Sequence, residues 1–332
     1  MKWMYKCLTS QKVTLLQHID RSKKQMADIS SKSGNVSTNR KKTWHLHGKS
    51  FPILYLLPHL VVFTIFFLIP LIFGIYIAFT KWDLVRTPVF VGWDNFKTLL
   101  FSDSIFHDQL TSGLWHTILF VLISVPFCIL VPLLLAVVLN TKPVFAKFFQ
   151  GLFYLPSLFS ISAVVIVWSL IFNPNYGPLN TLFNLDQVWT GTQPWAWMTI
   201  VILTVWWTIG GNMIIYQAAL NGIPQDYYEA ADIDGASRWK KFIHITLPSI
   251  RGQLLFTIVT TTIAQFNIYG QPLMMTNGGP NGSTTVLMMN VQQNAFGSGQ
   301  SLAGISSAMA VILGICITIV SMVQLFLLRN KD

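Results

Sequence analysis

Six stretches of this 332-residue chain are long, apolar and empty of charged side chains: about Ile53 to Thr80, Leu114 to Leu139, Leu152 to Phe172, Met198 to Leu220, Leu254 to Met275 and Leu302 to Leu328. A helix rises about 1.5 Å per residue, so roughly 20 apolar residues cross a hydrocarbon layer of about 30 Å. Inside that layer every backbone N–H and C=O must find a partner within the protein, which leaves helices as the spanning element for runs of this length. Only 10% of the residues are charged and 52% are hydrophobic, against roughly 25% charged in a soluble domain. The expected fold is an all-α integral membrane protein with six transmembrane helices. Pro126 and Pro132 fall inside the second run; each removes an N–H and frees a carbonyl that a neighbouring helix must absorb.

The net charge of +10 resembles a nucleic-acid signature only until it is mapped along the chain. Eleven of the 22 Lys and Arg lie in residues 1–50, against Asp20 and Asp28 alone, and the rest of the chain is nearly neutral. No nucleic-acid partner is expected; the basic tail suits anionic membrane lipid. With six spans and an internal N-terminus, 19 basic residues fall on the cytoplasmic side and three, Lys81, Arg86 and Lys97, outside. Without the tail the division is still 8 to 3, which places both termini in the cytoplasm. Residues 1–50 are expected to be a basic, disordered cytoplasmic tail without a signal-peptide core, and residues 51–330 the six-helix domain. Cys7, Cys128 and Cys316 suggest neither a disulfide framework nor a metal site.

The missing charges exclude whole classes of mechanism. No Asp, Glu, Lys or Arg lies within a predicted span, so there is no carboxylate to carry a coupling proton and no Arg ladder to sense voltage. His59 and His116 fall near span ends, where an interfacial or hydrogen-bonded histidine is the ordinary expectation. Uncharged polar groups are then the candidates for a substrate path: Asn212 in the fourth span, and Thr261, Gln265 and Tyr269 at i, i+4 and i+8 in the fifth, with Asn267 beside them. Amides, hydroxyls and aromatic faces suit sugar rings. They serve equally well as interhelical hydrogen bonds. In the sixth span, small residues spaced by four, Gly304 with Ala308 and Ser306 with Ala310 and Gly314, would let another helix approach closely.

One segment breaks the apolar pattern. Between Lys147 and Asp226 the only charged residue is Asp186, and none occurs from Gly252 to Leu328, yet Asp226 to Arg251 carries eight. Within this cytoplasmic loop, 221–251, Pro224 suits a helix start, and Asp226 and Glu229 suit its first turns. Ala230 and Ala231 keep the helix slim, and Gly235 permits the left-handed turn that ends it. Ser237 can cap a second short helix with Trp239, Phe242 and Ile243 on one face. Taken alone, the loop is a helix-turn-helix with local salt bridges from Glu229 to Arg238 or Lys241.

The residues Glu229-Ala-Ala-Asp-Ile-Asp-Gly-Ala236, followed by Ile245-Thr-Leu-Pro248, resemble the Glu-Ala-Ala loop of permease subunits of binding-protein-dependent ABC importers. Gly92-Trp-Asp-Asn-Phe96, Tyr176-Gly-Pro-Leu-Asn180 and Thr276-Asn-Gly-Gly-Pro280 are similar to the carbohydrate-uptake branch, the last to the maltose-transporter-type permease. The resemblance spans about residues 51–330 and implies the type I importer permease architecture. It further implies that Glu229, Ala230, Ala231, Asp234, Gly235 and Ala236 couple the chain to a cytoplasmic ATPase. Asn277, Gly278, Gly279 and Pro280 would then contact an extracellular binding protein that delivers a sugar. Implied partners are a second homologous permease, two ATPase subunits, the binding protein and membrane lipid. The chain has no Gly-x-x-x-x-Gly-Lys-Ser/Thr loop, so it is not itself an enzyme or a cofactor protein, and ATP and Mg belong on the partner ATPase. Alternatives are a permease for glycerol phosphate or another polar nutrient, and a sodium-coupled secondary transporter, which gives no account of the charged loop.

Overall fold

The computed structural model describes residues 51–102, 104–297 and 302–329; the tail of residues 1–50, with Cys7, lies outside the described residues. The chain divides into two compact units, 1–65 and 66–332. In the first, the described residues form the apolar helix α1 (Phe51–Phe63), on which His59 stacks against Phe63 at 6.3 Å.

The second unit begins with α2 (Ile69–Ala78). A two-residue hairpin follows, β1 (Thr80–Lys81) antiparallel to β2 (Val89–Phe90), a small strand pair in a chain expected to be wholly helical. Its turn is held by Asp83, which accepts from the Arg86 N–H at 2.8 Å and the Val85 N–H at 3.1 Å. The Arg86 bond in particular holds the Asp83 carboxyl below the usual carboxylate range. A short helix, α3 (Asp94–Phe101), follows.

Then come α4 (Ile105–Asn140), α5 (Ala146–Tyr154), α6 (Ile161–Ile171), α7 (Pro178–Phe183) and α8 (Trp195–Asn221). The charged loop of 221–251 forms α9 (Gln225–Ile233) and α10 (Arg238–Lys241), and leads to α11 (Arg251–Phe266). The chain closes with α12 (Gly270–Thr276), α13 (Leu287–Phe296) and α14 (Ala303–Arg329).

Four uninterrupted helical stretches have the length and composition to cross a membrane: Tyr55–Ala78, Ile105–Asn140, Trp195–Asn221 and Ala303–Leu327. Two bent pairs bring the total to six: Ala146–Leu158 with Ile161–Ile171, at 104°, and Arg238–Ser249 with Arg251–Phe266, at 69°. With each bent pair counted as one span, the number equals the six expected, and the third and fifth are then bent rather than straight. The fifth stops at Phe266, so the expected run to Met275 is interrupted by the non-helical segment Asn267–Tyr269. Pro156 in the turn after α5 and Pro272 in the first turn of α12 are positions where proline starts a helix more readily than it continues one. α4, in contrast, runs unbroken through Pro126 and Pro132.

The core sits where α4 packs along α8 and α11, with α14 against α2, α11 and α13. Phe120, Trp197 and Ile200 anchor one buried cluster, Leu99, Val121, Leu287 and Met309 a second, and Leu133, Met213, Tyr216 and Ile250 a third. Large apolar side chains cover the outside as well, Phe66 being 76% and Leu122 67% exposed. A lipid-facing surface has no reason to be polar, so hydrophobicity alone cannot select which helix faces meet. Close approach and hydrogen bonds must do it.

Two of the short motifs do this work. Asn95, in Gly92-Trp-Asp-Asn-Phe96, is buried and its Nδ2 donates to Ala78 O and Thr80 O, both at 2.8 Å. It thereby satisfies the carbonyl left open at the end of α2. Gly304 lies against the same place: a Cβ there would fall 1.9 Å from Thr80 O and 2.9 Å from Asn95 Nδ2. Asn180, in Tyr176-Gly-Pro-Leu-Asn180, is likewise buried; it donates to Pro174 O at 3.0 Å and Gln187 O at 2.9 Å, and accepts from Trp189 Nε1 at 2.7 Å. Of the small-residue stripe on α14, Gly304 and Ala308 are packed inside the unit. Gly314 has nothing within 4 Å of its Cβ position.

Gly304→Ala is expected to destabilise the detergent-solubilised protein by about 1–3 kcal/mol through overpacking, whereas Gly314→Ala should be neutral or mildly stabilising. Equal thermal unfolding midpoints for the two variants would contradict the packing at Thr80.

Candidate functional site

The charged element α9–α10 is built from local rules. α9 ends in paired bonds, Ala236 N–H to Ala231 O at 2.9 Å and Gly235 N–H to Asp232 O at 3.0 Å, with Gly235 at φ +69°. This is the Schellman termination, in which the residue past the helix end is left-handed and glycine is favoured. Ser237 then caps α10, its Oγ accepting from the Lys240 N–H at 3.4 Å. Trp239 stacks on Phe242 at 5.7 Å, and Tyr228 OH meets the buried Thr246 Oγ1 at 2.9 Å, fastening α9 to the approach of the fifth span. The local salt bridge differs from expectation: Lys241 pairs with Asp232, and Glu229 makes no ion pair among the described residues. Glu229, Ala230, Asp234 and Gly235 are exposed, Ala231 and Ala236 half-buried, and beside them Ile233 is 88% exposed. An unpaired carboxylate and a bare isoleucine on a slim helix form a surface shaped for another protein.

The expected intramembrane residues separate into two groups. Asn212, Thr261 and Gln265 converge. Asn212 Nδ2 donates to Thr261 Oγ1 at 3.1 Å and to Cys128 O at 3.0 Å, and Gln265 Nε2 approaches Cys128 Sγ at 3.8 Å. One turn toward the charged loop Tyr216 OH and Thr257 Oγ1 pair at 2.6 Å, so the polar stripe of α11 is Thr257, Thr261 and Gln265. Tyr269 does not continue it, because the helix ends first. Asn267 is the exposed cap residue of α11, donating to Ile263 O at 2.7 Å, and Tyr269 packs half-buried against the Phe120–Trp197 cluster.

The breaks in the third and fifth spans come together. Gly270 lies beside Ile161, the first residue of α6, and Trp207 Nε1 donates to Phe159 O at 3.1 Å in the other break. Unwound backbone held at a meeting of spans is a recurrent way of lining a transport path. This junction was not among the sequence candidates, although Pro156, Gly270 and Pro272 were visible signals for it.

On the remaining face, Thr276–Thr285 closes on itself. Asn277 and Asn281 adopt the left-handed conformation, Thr284 Oγ1 donates to Gly279 O at 2.7 Å, and Thr276 and Thr284 hydroxyls meet at 2.7 Å. Gln193 Nε2 ties the loop to the start of α8 through Ser283 Oγ at 2.7 Å. Asn277 is exposed, Gly279 and Pro280 are half-buried and Gly278 is buried. After the loop comes a helix with no counterpart among the sequence expectations: α13 packs on α4, where His116 Nδ1 also lies 2.9 Å from Thr285 O. Asn290 Nδ2 donates to Gln109 O at 2.8 Å and the Leu287 N–H to Thr117 Oγ1 at 3.0 Å. Among the described residues no three His, Cys, Asp or Glu side chains gather as around a metal ion.

Comparison with known proteins agrees with this geometry. The chain is 33% identical over 286 residues to the probable starch degradation products transport system permease protein AmyD of Thermoanaerobacterium thermosulfurigenes, covering 84% of this chain and 94% of that protein. It is 31% identical to the arabinooligosaccharides transport system permease protein AraP of Bacillus subtilis, covering 83% and 88%. The fold matches a chain of a bacterial alginate ABC transporter solved with an alginate pentasaccharide-bound periplasmic protein, with TM-score 0.71, 22% identity and coverage of 85% and 95%. Residues 98–331 match the model of the binding-protein-dependent transport system inner membrane component, and this multi-pass membrane chain belongs to that family.

Proposed function

We propose that this chain is the membrane-spanning subunit of an ATP-driven importer and forms part of the path for a sugar or oligosaccharide brought by an extracellular binding protein. The observation that carries the reading is the exposed Glu229 helix, terminated at Gly235 and fastened by Tyr228 to Thr246 at the foot of a broken span. The relatives named for starch products and arabinooligosaccharides support the substrate class, and spans without charged side chains suit a neutral polyol.

In this reading Glu229, Ala230, Ala231, Asp234, Gly235 and Ala236 dock on one of two cytoplasmic ATPase subunits, which bind ATP and Mg and hydrolyse the nucleotide. Glu229 pairs there with a basic side chain. A second, homologous permease completes the path, and both termini of this chain are cytoplasmic. Asn267 and Tyr269, at the break, front the sugar. Asn212, Thr261 and Gln265 lie one layer behind and hold that break in place. Asn277 with Gly278, Gly279 and Pro280 meets the binding protein.

The test is a proteoliposome carrying this chain with its partner permease, ATPases and binding protein. Radiolabelled oligosaccharide should accumulate only with internal ATP; accumulation from free sugar on a sodium gradient without ATP would favour secondary transport instead. Glu229→Lys and Gly235→Pro should each lower ATP-driven uptake at least about tenfold, corresponding to about 1.4 kcal/mol of lost coupling, at unchanged membrane insertion. Normal uptake in either would exclude the docking role. Asn267→Ala and Gln265→Ala should slow uptake more than Gln324→Ala, whose side chain donates to Thr262 Oγ1 at 2.9 Å. Indistinguishable rates for all three would remove this face of the fifth span from the path.

A further inference from the structure

The unbroken course of α4 through Pro132 has a specific consequence. In an α-helix the N–H of residue 132 would bond the carbonyl of residue 128, and proline has no N–H. The carbonyl so freed, Cys128 O, is the one that Asn212 Nδ2 reaches from α8 at 3.0 Å. The same amide nitrogen has a second proton, which goes to Thr261 Oγ1 on α11 at 3.1 Å. Cys128 is 1% exposed, and its sulfur is approached by Thr208 Oγ1 from α8 at 3.7 Å and by Gln265 Nε2 from α11 at 3.8 Å. One residue of α4 thus gathers donors from both neighbouring spans, and one asparagine bridges all three.

The place of this node along α11 gives it a function. α11 leaves the cytoplasmic loop at Arg251 and ends at Phe266, directly before the break at Asn267–Tyr269. Thr261 and Gln265 are held in the last turns before that break. A displacement entering α11 from the loop reaches Asn267 through a helix clamped at this level to α4 and α8. Without the clamp, α11 could shift past its neighbours and leave the break where it was.

We infer that Asn212 is a positioning residue for transport: by joining the carbonyl opened by Pro132 to the Thr261 hydroxyl, it makes α4, α8 and α11 move together, so that motion of the cytoplasmic element arrives at the break. The inference rests on the importer reading above. It assigns Asn212 no contact with the sugar.

The experiment uses the complete reconstituted complex and reads two rates, ATP hydrolysis stimulated by sugar-loaded binding protein and sugar uptake, whose ratio is the sugar moved per ATP. Thr261→Val removes only the arm to α11, and should lower that ratio at least about fivefold at unchanged expression, with a smaller loss of thermal stability than Asn212→Leu, since only one amide proton is left unpaired. Asn212→Leu should lower both the ratio and the stability, because it also strands Cys128 O. Pro132→Ala returns an N–H to that carbonyl. Added to Asn212→Leu, it should restore stability and leave the ratio low. An unchanged ratio in Thr261→Val overturns the inference, as does recovery of the ratio in the Asn212→Leu/Pro132→Ala chain, since the amide would then merely satisfy a carbonyl. Failure of the importer reading looks different: the wild-type complex itself would show no ATP-driven uptake.

Discussion

Pairing of backbone carbonyls in a layer without water governs this molecule. A helix pairs its own groups except at its ends, at a proline and at a break, and three asparagines, two buried and one half-buried, stand at such places. Asn95 serves the end of α2 and Asn212 the carbonyl opposite Pro132. Asn180 binds the turn before α7 to the turn after it. The carboxamide fits this role because it carries two donors and no charge, so two carbonyls, or a carbonyl and a hydroxyl, are satisfied without bringing an ion into the membrane. Helix packing follows: α3 is held to α2, and α8 to α4 and α11, by hydrogen bonds rather than by apolar contrast, which is weak where lipid is the alternative neighbour.

From this frame the working surfaces fall at opposite ends of one structural line. The charged pair α9–α10 is fixed by local means, its turn set by Gly235 and its second helix capped by Ser237. It joins the interior at Tyr228–Thr246 and continues into α11. Beyond the bend at Ile250, the far end of α11 is where the helix stops, next to the break in the third span. Stiff element, clamped helix and open backbone follow one another without an intervening flexible loop.

Much of this could be read from the sequence. Length and hydropathy placed six spans, and the order Pro224, Glu229, Gly235, Ser237 placed both helices of the cytoplasmic element, because caps and turns are decided by residues within five positions of each other. The breaks escaped for the opposite reason. Leu254–Met275 carries no charge throughout, and whether it continues through Asn267 depends on Ile161 and the Phe120–Trp197 cluster, 70 or more residues away. Extrapolating the stripe from Thr261 and Gln265 to Tyr269 failed at that point. The partner of Pro132's orphaned carbonyl could be anticipated in kind, since some neighbour had to supply a donor, but only the fold identifies it as Asn212. The salt bridge was misassigned for a related reason: Lys241 reaches Asp232 across a turn whose geometry, not its composition, chooses between two carboxylates one helical turn apart.

Because amides and hydroxyls replace ions at every such position, rearranging these spans carries no fixed charge through the membrane's electric field. A displaced elementary charge would feel about 2.3 kcal/mol per 100 mV. The polar seam from Thr257 to Gln265 feels almost none of this. A rearrangement of these spans would move no charged side chain of theirs across the field, so its energy would be nearly independent of membrane potential.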